Sequence, residues 1–268
     1  MAPDRWDGGS DYEAFVGRWS RRVAEGFIDA LDAPAGATWL DVGCGTGALA
    51  ATIAARAAPA SVAAIDRSPQ FVAHASAQLD DRRVVFLVGD AAELPFTAGR
   101  VDVAVSGLLL NFLPDPPGAV AELRRVARPG ATVAAYVWDY AEGMQPIRAF
   151  WDAAVELDPG ARDNDEALRF PLCTPPALQQ LFSGAGLSAV RTWTIDVAAA
   201  FASFDDYWTP FLSGVGPAPG YCAGLPEGRR AALRELLQAR LSPEAGPITM
   251  NARAFAVRGT VPVEGAPG

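Results

Sequence analysis

Between residues 37 and 138 the chain alternates short apolar runs with longer segments of helical periodicity. We predict buried strands over residues 37–42, 62–65, 84–88, 101–106 and 132–138. We predict helices between them over residues 47–57, 69–79 and 117–128. Strands and helices that alternate at this spacing form a parallel sheet with right-handed crossovers and helices on both faces. The sequence therefore predicts a doubly wound α/β fold.

The flanking regions extend this core. Apolar residues at a spacing of four predict a helix from Tyr12 to Leu31. Beyond Trp138 we predict a helical insertion over 142–172, helices over 175–185, 204–212 and 227–241, and strands over 188–197 and 248–257. The Gly- and Pro-rich segment 213–226 is predicted to be a mobile loop.

The length of 268 residues is near the upper limit for one domain. We therefore predict a single domain. Its parts are an N-terminal helical cap over 1–33, a core over 34–138, helical insertions with the last strands over 139–260, and a disordered tail over 261–268.

The charge balance limits the classes of function. The formal net charge is −9, and all 22 basic residues are arginine. A chain without lysine has no lysine Schiff base and no P-loop lysine. The acidic balance also argues against a nucleic-acid partner held through its phosphates.

The cysteines and the apolar runs predict a location. Cys44, Cys173 and Cys222 are too widely spaced for a metal site and odd in number, which favours reduced thiols in a cytoplasmic protein. We predict no bound metal. We also predict no signal peptide and no membrane span, because no apolar run is long enough.

A glycine turn follows the first predicted strand and admits two interpretations. Gly43 and Gly45, together with Ala48, satisfy the G-x-G-x-x-G/A pattern of dinucleotide-binding folds. Asp41 and Gly47 favour another ligand, because a carboxylate beside the turn repels a pyrophosphate and attracts a cation.

Three segments of the core resemble the class I S-adenosylmethionine-dependent methyltransferases. Leu40 to Gly47 resembles that family's first motif, and Asp66-Arg67-Ser68-x-x-Phe71 resembles its D-x-S-x-x-M segment. Residues 89–96, GDAAELPF, resemble the G-D-A-x-x-L-P-F segment of the ubiquinone/menaquinone-type branch of small-molecule methyltransferases. The resemblance implies S-adenosylmethionine as cofactor and a seven-stranded, mostly parallel, Rossmann-like sheet whose last strand is antiparallel.

The resemblance also implies roles for single residues. Asp66 would accept both ribose hydroxyls, although a helix N-cap is the alternative for this residue. Asp90 would accept the adenine amino group, and the Ala91 amide would donate to the ring. The cofactor-binding residues predicted in this way are Tyr12, Arg18, Asp41, Gly43, Cys44, Gly45, Asp66, Arg67, Phe71, Asp90, Ala91 and Leu108.

The acceptor side is less constrained. The Asn-Pro-Pro-Tyr type of tetrapeptide, which enzymes that methylate amino groups of DNA and proteins carry after the fourth strand, is missing here, and Asn111 stands in this region. The predicted substrate-binding residues are Asn111, Trp138, Tyr140, Tyr207 and Trp208, for each of which packing in the core is the alternative.

We expect methyl transfer to an oxygen, nitrogen or carbon nucleophile of a small, apolar or aromatic molecule. No catalytic residue is predicted, since the only histidine, His74, lies in the middle of a predicted helix. The alternatives are a cyclase with the same fold and cofactor, a nicotinamide-dependent oxidoreductase and a non-catalytic binding subunit. The sequence does not predict the oligomeric state.

Overall fold

The computed structural model describes residues 17–241 and 246–263, which fall into two compact units. The sheet unit comprises residues 20–137, 172–195 and the described residues from 254 onward. The helical unit comprises residues 138–171, the described residues between 196 and 253, and Gly17 to Trp19. The prediction of a single domain stays a prediction.

Seven strands form one sheet in the order β3-β2-β1-β4-β5-β7-β6. Strands β1 to β5 pair in parallel, whereas β7 runs antiparallel to β5, because Gly130 N donates to Val261 O and Asp139 N donates to Arg253 O. The strands are β1 Thr38–Val42, β2 Ser61–Asp66, β3 Val84–Val88, β4 Val101–Gly107, β5 Ala127–Trp138, β6 Ser188–Phe201 and β7 Ile248–Thr260. This topology confirms the predicted fold.

Helices connect the strands and fill most of the helical unit. The α-helices are α1 Arg18–Leu31, α2 Ala48–Arg56, α3 Pro69–Gln78, α4 Pro116–Val126, α5 Gln145–Leu157, α6 Glu166–Arg169, α7 Pro175–Gly184, α8 Phe204–Trp208, α9 Pro217–Gly224 and α10 Glu227–Leu241. Short 3₁₀ segments cover Leu110–Phe112, Pro159–Asn164 and Thr209–Leu212. Among the described residues, no helix is long and apolar enough to cross a membrane.

The central strands are covered on both faces. Trp39, Leu40 and Val42 of β1 are at most 2% exposed, which is typical of a parallel sheet between two layers of helices. Because β1, β2 and β4 run in the same direction, their carboxyl ends lie at one edge of the sheet. Ligands of open α/β sheets bind at this edge.

The predicted start of β5 was wrong. Helix α4 ends at Val126, and the strand begins at Ala127 rather than at Thr132. Pro129 cannot continue a helix, and Gly130 adopts a positive φ of 82°. The chain therefore enters the sheet early and forms a bulge, in which Val101 pairs with Ala127 but Val103 pairs with Thr132.

The predicted mobile loop over 213–226 was also wrong, because it contains helix α9. Pro217, Ala218, Pro219 and Cys222 of this helix are all buried. Prolines are tolerated in the first helical turn, where the backbone N–H has no helical partner.

The chain stays ordered beyond the end that we predicted. Strand β7 extends to Thr260, and Val261 N donates to Ala131 O at 2.9 Å. The prediction of a disordered tail that begins at residue 261 is therefore wrong for Val261. The first part of the predicted 12–31 helix lies outside the described residues, and the described helix begins at Arg18.

The three cysteines are buried, and no disulfide joins them. Cys44 and Cys173 belong to the sheet unit, and Cys222 belongs to the helical unit.

Candidate functional site

The glycine turn after β1 has the backbone conformation that its sequence predicts. Gly43, Gly45 and Gly47 have positive φ angles of 76°, 51° and 88°, a region that residues with a Cβ rarely adopt. The Gly43 and Cys44 amides donate to Ile65 O at 2.8 and 3.0 Å, which joins the turn to β2. A Cβ at Gly43 would lie 2.5 Å from Leu109 Cδ2, so a residue with a side chain would require Leu109 to move.

Asp66 closes β2 and organises two neighbouring connections. Its Oδ2 accepts from the Gly45 amide at 2.9 Å, and its Oδ1 accepts from the Ser68 amide at 2.8 Å. Ser68, not Asp66, is the N-cap of α3, because its Oγ accepts from Phe71 N at 3.3 Å. The N-cap alternative for Asp66 is therefore wrong. Arg67 is exposed and Phe71 is half-buried.

Asp41 lies on β1, just before the glycine turn, and its carboxyl is fully buried. Its exposed fraction is 0%, and neither oxygen has a hydrogen-bond partner in the described part of the chain. Burial, followed by the charge of Asp66, raises the pKa of Asp41 to about 8. The Ala50 amide in the first turn of α2 lowers this pKa without completing a hydrogen bond. Burial, followed by the charges of Asp41 and Asp66, also raises the pKa of the Cys44 thiol.

The segment after β3 is a loop that is hydrogen-bonded to side chains of α4. Asp90 is exposed and accepts from Ala92 N at 2.9 Å, whereas Ala91 is buried. Glu122 Oε2 accepts from Leu94 N at 2.8 Å. Arg125 binds Glu122 and donates to the carbonyls of Leu94 and Phe96 at 3.0 and 2.8 Å. We call these contacts the Glu122–Arg125 clasp.

A cleft at the carboxyl edge of the sheet brings these segments together. The predicted residues in its wall are Gly43, Asp66, Arg67, Asp90 and Ala91. The wall also contains residues that sequence reasoning missed, which are Val42, Ile65, Gly89, Ala92, Leu109, Leu113, Pro114, Asp115 and Ala119. Asp41, Cys44, Gly45, Phe71 and Leu108 belong to the same strands, turns and helices but do not line this cleft.

The chain reverses sharply after β4. Leu108 has a positive φ of 58°, which is strained for a residue with a Cβ, and its amide donates to Tyr136 O at 2.8 Å. The following 3₁₀ segment contains Asn111, whose Nδ2 is buried with no hydrogen-bond partner among residues 17–241 and 246–263. An unsatisfied buried amide of this kind needs an explanation.

The remaining predicted residues lie elsewhere. Tyr12 and the side chain of Arg18 are outside the described part of the structure. Four aromatic residues of the predicted set belong to the helical unit and are all buried: Trp138, Tyr140, Tyr207 and Trp208. Tyr207 donates its hydroxyl to Pro146 O at 2.9 Å. A role for these six residues in binding stays a prediction.

The residues of the sheet unit fit S-adenosylmethionine. Asp41 supplies two buried oxygens that have no hydrogen-bond partner among the described residues, which suits a ligand with positive charges. Gly43 leaves no room for a side chain at the point where the chain approaches Leu109. Asp66 keeps free acceptor positions beyond the two amides that it binds, because an ionised carboxylate has about four.

Comparisons with known proteins agree with this fit. A family model described as a methyltransferase domain matches residues 40–135. The demethylmenaquinone methyltransferase of Roseiflexus sp. (strain RS-1) is 31% identical over 176 residues, which cover 60% of this chain and 72% of that protein. The trans-aconitate 2-methyltransferase of Deinococcus radiodurans is 32% identical over 183 residues, which cover 63% and 69%. Some curated relatives, among them the nocamycin O-methyltransferase of Saccharothrix syringae, are matched over less than half of their own length.

A solved structure with the same fold contains the cofactor. Phosphoethanolamine N-methyltransferase 2 of Haemonchus contortus, in complex with S-adenosylmethionine, has a TM-score of 0.59 at 15% identity, with 96% of this chain and 57% of that chain covered. At this identity the likeness shows the fold alone, whereas the two relatives show the family. The cofactor is thus S-adenosylmethionine rather than a dinucleotide, and the contact of the glycine turn with it stays a prediction. From its motifs, its strand order and these relatives, the chain belongs to the class I S-adenosylmethionine-dependent methyltransferases.

Proposed function

We propose that this methyltransferase acts on a small acceptor with an apolar or aromatic body and a hydrogen-bond-accepting oxygen. The relatives support a small acceptor that carries oxygen, because their names specify a demethylated menaquinone and trans-aconitate, and the menaquinone relative supports the apolar or aromatic body. The observation that carries the proposal is the Nδ2 of Asn111 in the 3₁₀ segment after β4, which is buried and has no hydrogen-bond partner among the described residues.

The proposed division of roles follows the edge of the sheet. S-adenosylmethionine, when bound, supplies a methyl group on a sulfonium. Asp66 accepts from the ribose hydroxyls, and Asp90 with the Ala91 amide binds the adenine, at positions that line the cleft. The Glu122–Arg125 clasp holds the loop that contains Asp90 and Ala91 in place.

Asn111 is proposed to orient the acceptor. A buried donor without a partner costs about 1–3 kcal/mol, which a carbonyl, carboxylate or hydroxyl oxygen of the acceptor would recover. The neighbouring leucines, Leu108, Leu109 and Leu113, supply apolar surface. Orientation and exclusion of water can contribute roughly 7–11 kcal/mol to such a transfer, and we assign no catalytic base.

An acceptor screen tests the proposed function. Purified protein is incubated with S-adenosylmethionine and either quinols, small carboxylic acids or phenols, and formation of S-adenosylhomocysteine is followed. We expect turnover with an oxygen-bearing, largely apolar acceptor and a product heavier by one methylene unit. A product of unchanged mass would indicate cyclisation instead, and turnover of nucleic acid or protein alone would contradict the proposal.

Asn111→Ala tests the acceptor contact. We expect kcat/KM for the acceptor to fall about 5- to 150-fold, which corresponds to a lost hydrogen bond of about 1–3 kcal/mol. The Kd for S-adenosylmethionine, measured by calorimetry, should stay unchanged. Asn164→Ala, in the 3₁₀ segment of the helical unit, is the control and should leave both constants unchanged. Equal losses in both variants would contradict the role of Asn111.

We further propose that the protein works in the cytoplasm on a free small molecule rather than on nucleic acid. Support comes from the three buried cysteines, which form no disulfide, and from the net charge of −9.

A further inference from the structure

Asp41 lies in an environment that disfavours a charged carboxylate. It is 0% exposed, and both carboxylate oxygens lack a hydrogen-bond partner in the described part of the protein. A buried charge without a partner is costly, so such a group takes up a proton instead.

The groups around Asp41 reinforce this tendency. On β2 the only titratable residue is Asp66, and in the glycine turn it is Cys44. Helix α2 presents the Ala50 amide, and its single charged residue, Arg56, forms an ion pair with Asp29. On β4 the only charged residue is Asp102, which binds Thr38 and Arg128. Among these elements, no cation is directed at Asp41.

The cofactor brings the positive charge that Asp41 lacks. S-adenosylmethionine carries an ammonium and a sulfonium at its amino-acid end, and Val42 and Gly43, the two residues that follow Asp41, line the ligand cleft. A positive charge placed near a buried carboxyl favours the ionised form.

We propose that Asp41 is a proton-linked counter-charge for the cofactor, uncharged in the free protein and ionised in the complex. Binding of each cofactor molecule then releases one proton from the Asp41 carboxyl to the solvent. The proposal rests on S-adenosylmethionine as the cofactor and adds to it a coupling between cofactor affinity and pH.

Calorimetry counts the released proton directly. S-adenosylmethionine is titrated into the full-length protein at pH 6 to 7 in buffers that differ in their enthalpy of ionisation. We expect about one proton released per cofactor bound, and an affinity that rises about tenfold from pH 6 to pH 7. Burial also raises the pKa of Glu166 to about 7, so an Asp41 variant is needed to assign the proton.

Two variants identify the source of the proton. Asp41→Asn keeps the shape of the side chain but cannot ionise, so its binding should release no proton and should not depend on pH. Asp29→Asn, at an exposed position on α1, should release the same number of protons as the wild type. Equal proton release from Asp41→Asn and wild type would overturn the proposal.

Infrared difference spectroscopy of the wild type gives an independent reading if Asp41→Asn fails to fold. We expect cofactor binding to remove one protonated-carboxyl C=O band. Binding heat without proton release, or without loss of this band, would overturn the proposal and leave the cofactor assignment intact. Absence of any binding heat would contradict the cofactor assignment instead.

S-adenosylhomocysteine distinguishes the two positive charges. It keeps the ammonium but lacks the sulfonium. Proton release with both ligands would identify the ammonium as the partner of Asp41, and release with S-adenosylmethionine alone would identify the sulfonium. Either result supports the counter-charge, whereas release with neither ligand overturns it.

Discussion

Gly43 and Gly36 have nearly the same backbone conformation but different surroundings. Their φ angles are 76° and 79°. A Cβ at Gly43 would meet Leu109 at 2.5 Å, whereas a Cβ at Gly36 would meet nothing within 4 Å. Alanine variants at these two positions therefore distinguish the effect of backbone strain from the effect of a side chain that contacts Leu109.

We expect Gly43→Ala to abolish measurable binding of S-adenosylmethionine, because Leu109 or the turn must move. Gly36→Ala should keep the wild-type Kd. Both variants should lose about 1–2 kcal/mol of unfolding stability from strain at positive φ. Calorimetry and urea denaturation measure the two effects, and a wild-type Kd for Gly43→Ala would show that the turn does not touch the cofactor.

The sequence predicted the residues of the glycine turn better than it predicted the cleft residues that follow β4. Gly43, Asp66 and Asp90 could be predicted because each closes a strand at the same edge of a parallel sheet. Leu109 could not, because the reversal after β4 depends on a positive φ at Leu108, and leucine gives no signal for that conformation. The unpartnered amide of Asn111 likewise becomes visible only when its surroundings are known.

At the scale of elements, helix α4 holds the loop after β3 in place through the Glu122–Arg125 clasp. The ion pair itself adds little, because Arg125 is 38% exposed. The two hydrogen bonds to the carbonyls of Leu94 and Phe96 fix the loop.

We expect Arg125→Ala to weaken cofactor binding several-fold and to lower the unfolding free energy by about 0.5–1.5 kcal/mol. Arg124→Ala removes the neighbouring arginine of α4, which lies near Gly186 instead, and should leave the Kd unchanged. If both variants bind the cofactor as the wild type does, the clasp has no role in positioning the loop.

Helix α9 shows why part of the fold escaped prediction. Its sequence, PAPGYCAG, contains the residues of a loop. The Ala218 amide at its start donates to Glu166 Oε1 at 3.3 Å, and Glu166 is 52 positions earlier in the chain. Local propensity gave no sign of this distant partner, whereas the strands of the core were predictable from their own periodicity.

At the scale of the whole molecule, buried carboxyls link stability to pH. Glu166 accepts from Trp151 and Ala218 in the helical unit and is 1% exposed. Burial raises its pKa from 4.5 to about 7. Between pH 4.5 and about pH 7 the Glu166 carboxyl is protonated in the folded protein and ionised in the unfolded chain. The free energy of unfolding therefore falls as the pH rises through this range.

We expect Glu166→Gln to remove part of this pH dependence. The difference in unfolding free energy between wild type and Glu166→Gln should change by about 1.4 kcal/mol per pH unit between pH 5 and 7, in the direction of lower wild-type stability. Glu156→Gln, at a position 55% exposed, is the control. Parallel pH profiles for wild type and Glu166→Gln would contradict the expectation.

The buried cysteines make each unit observable on its own. A thiol reagent reacts with a buried cysteine only when the surrounding structure opens. Cys44 and Cys173 are 6% and 4% exposed in the sheet unit, and Cys222 is 0% exposed in the helical unit. Their separate labelling rates, with and without S-adenosylmethionine, therefore measure how far the ligand suppresses opening around the glycine turn and whether the helical unit responds at all.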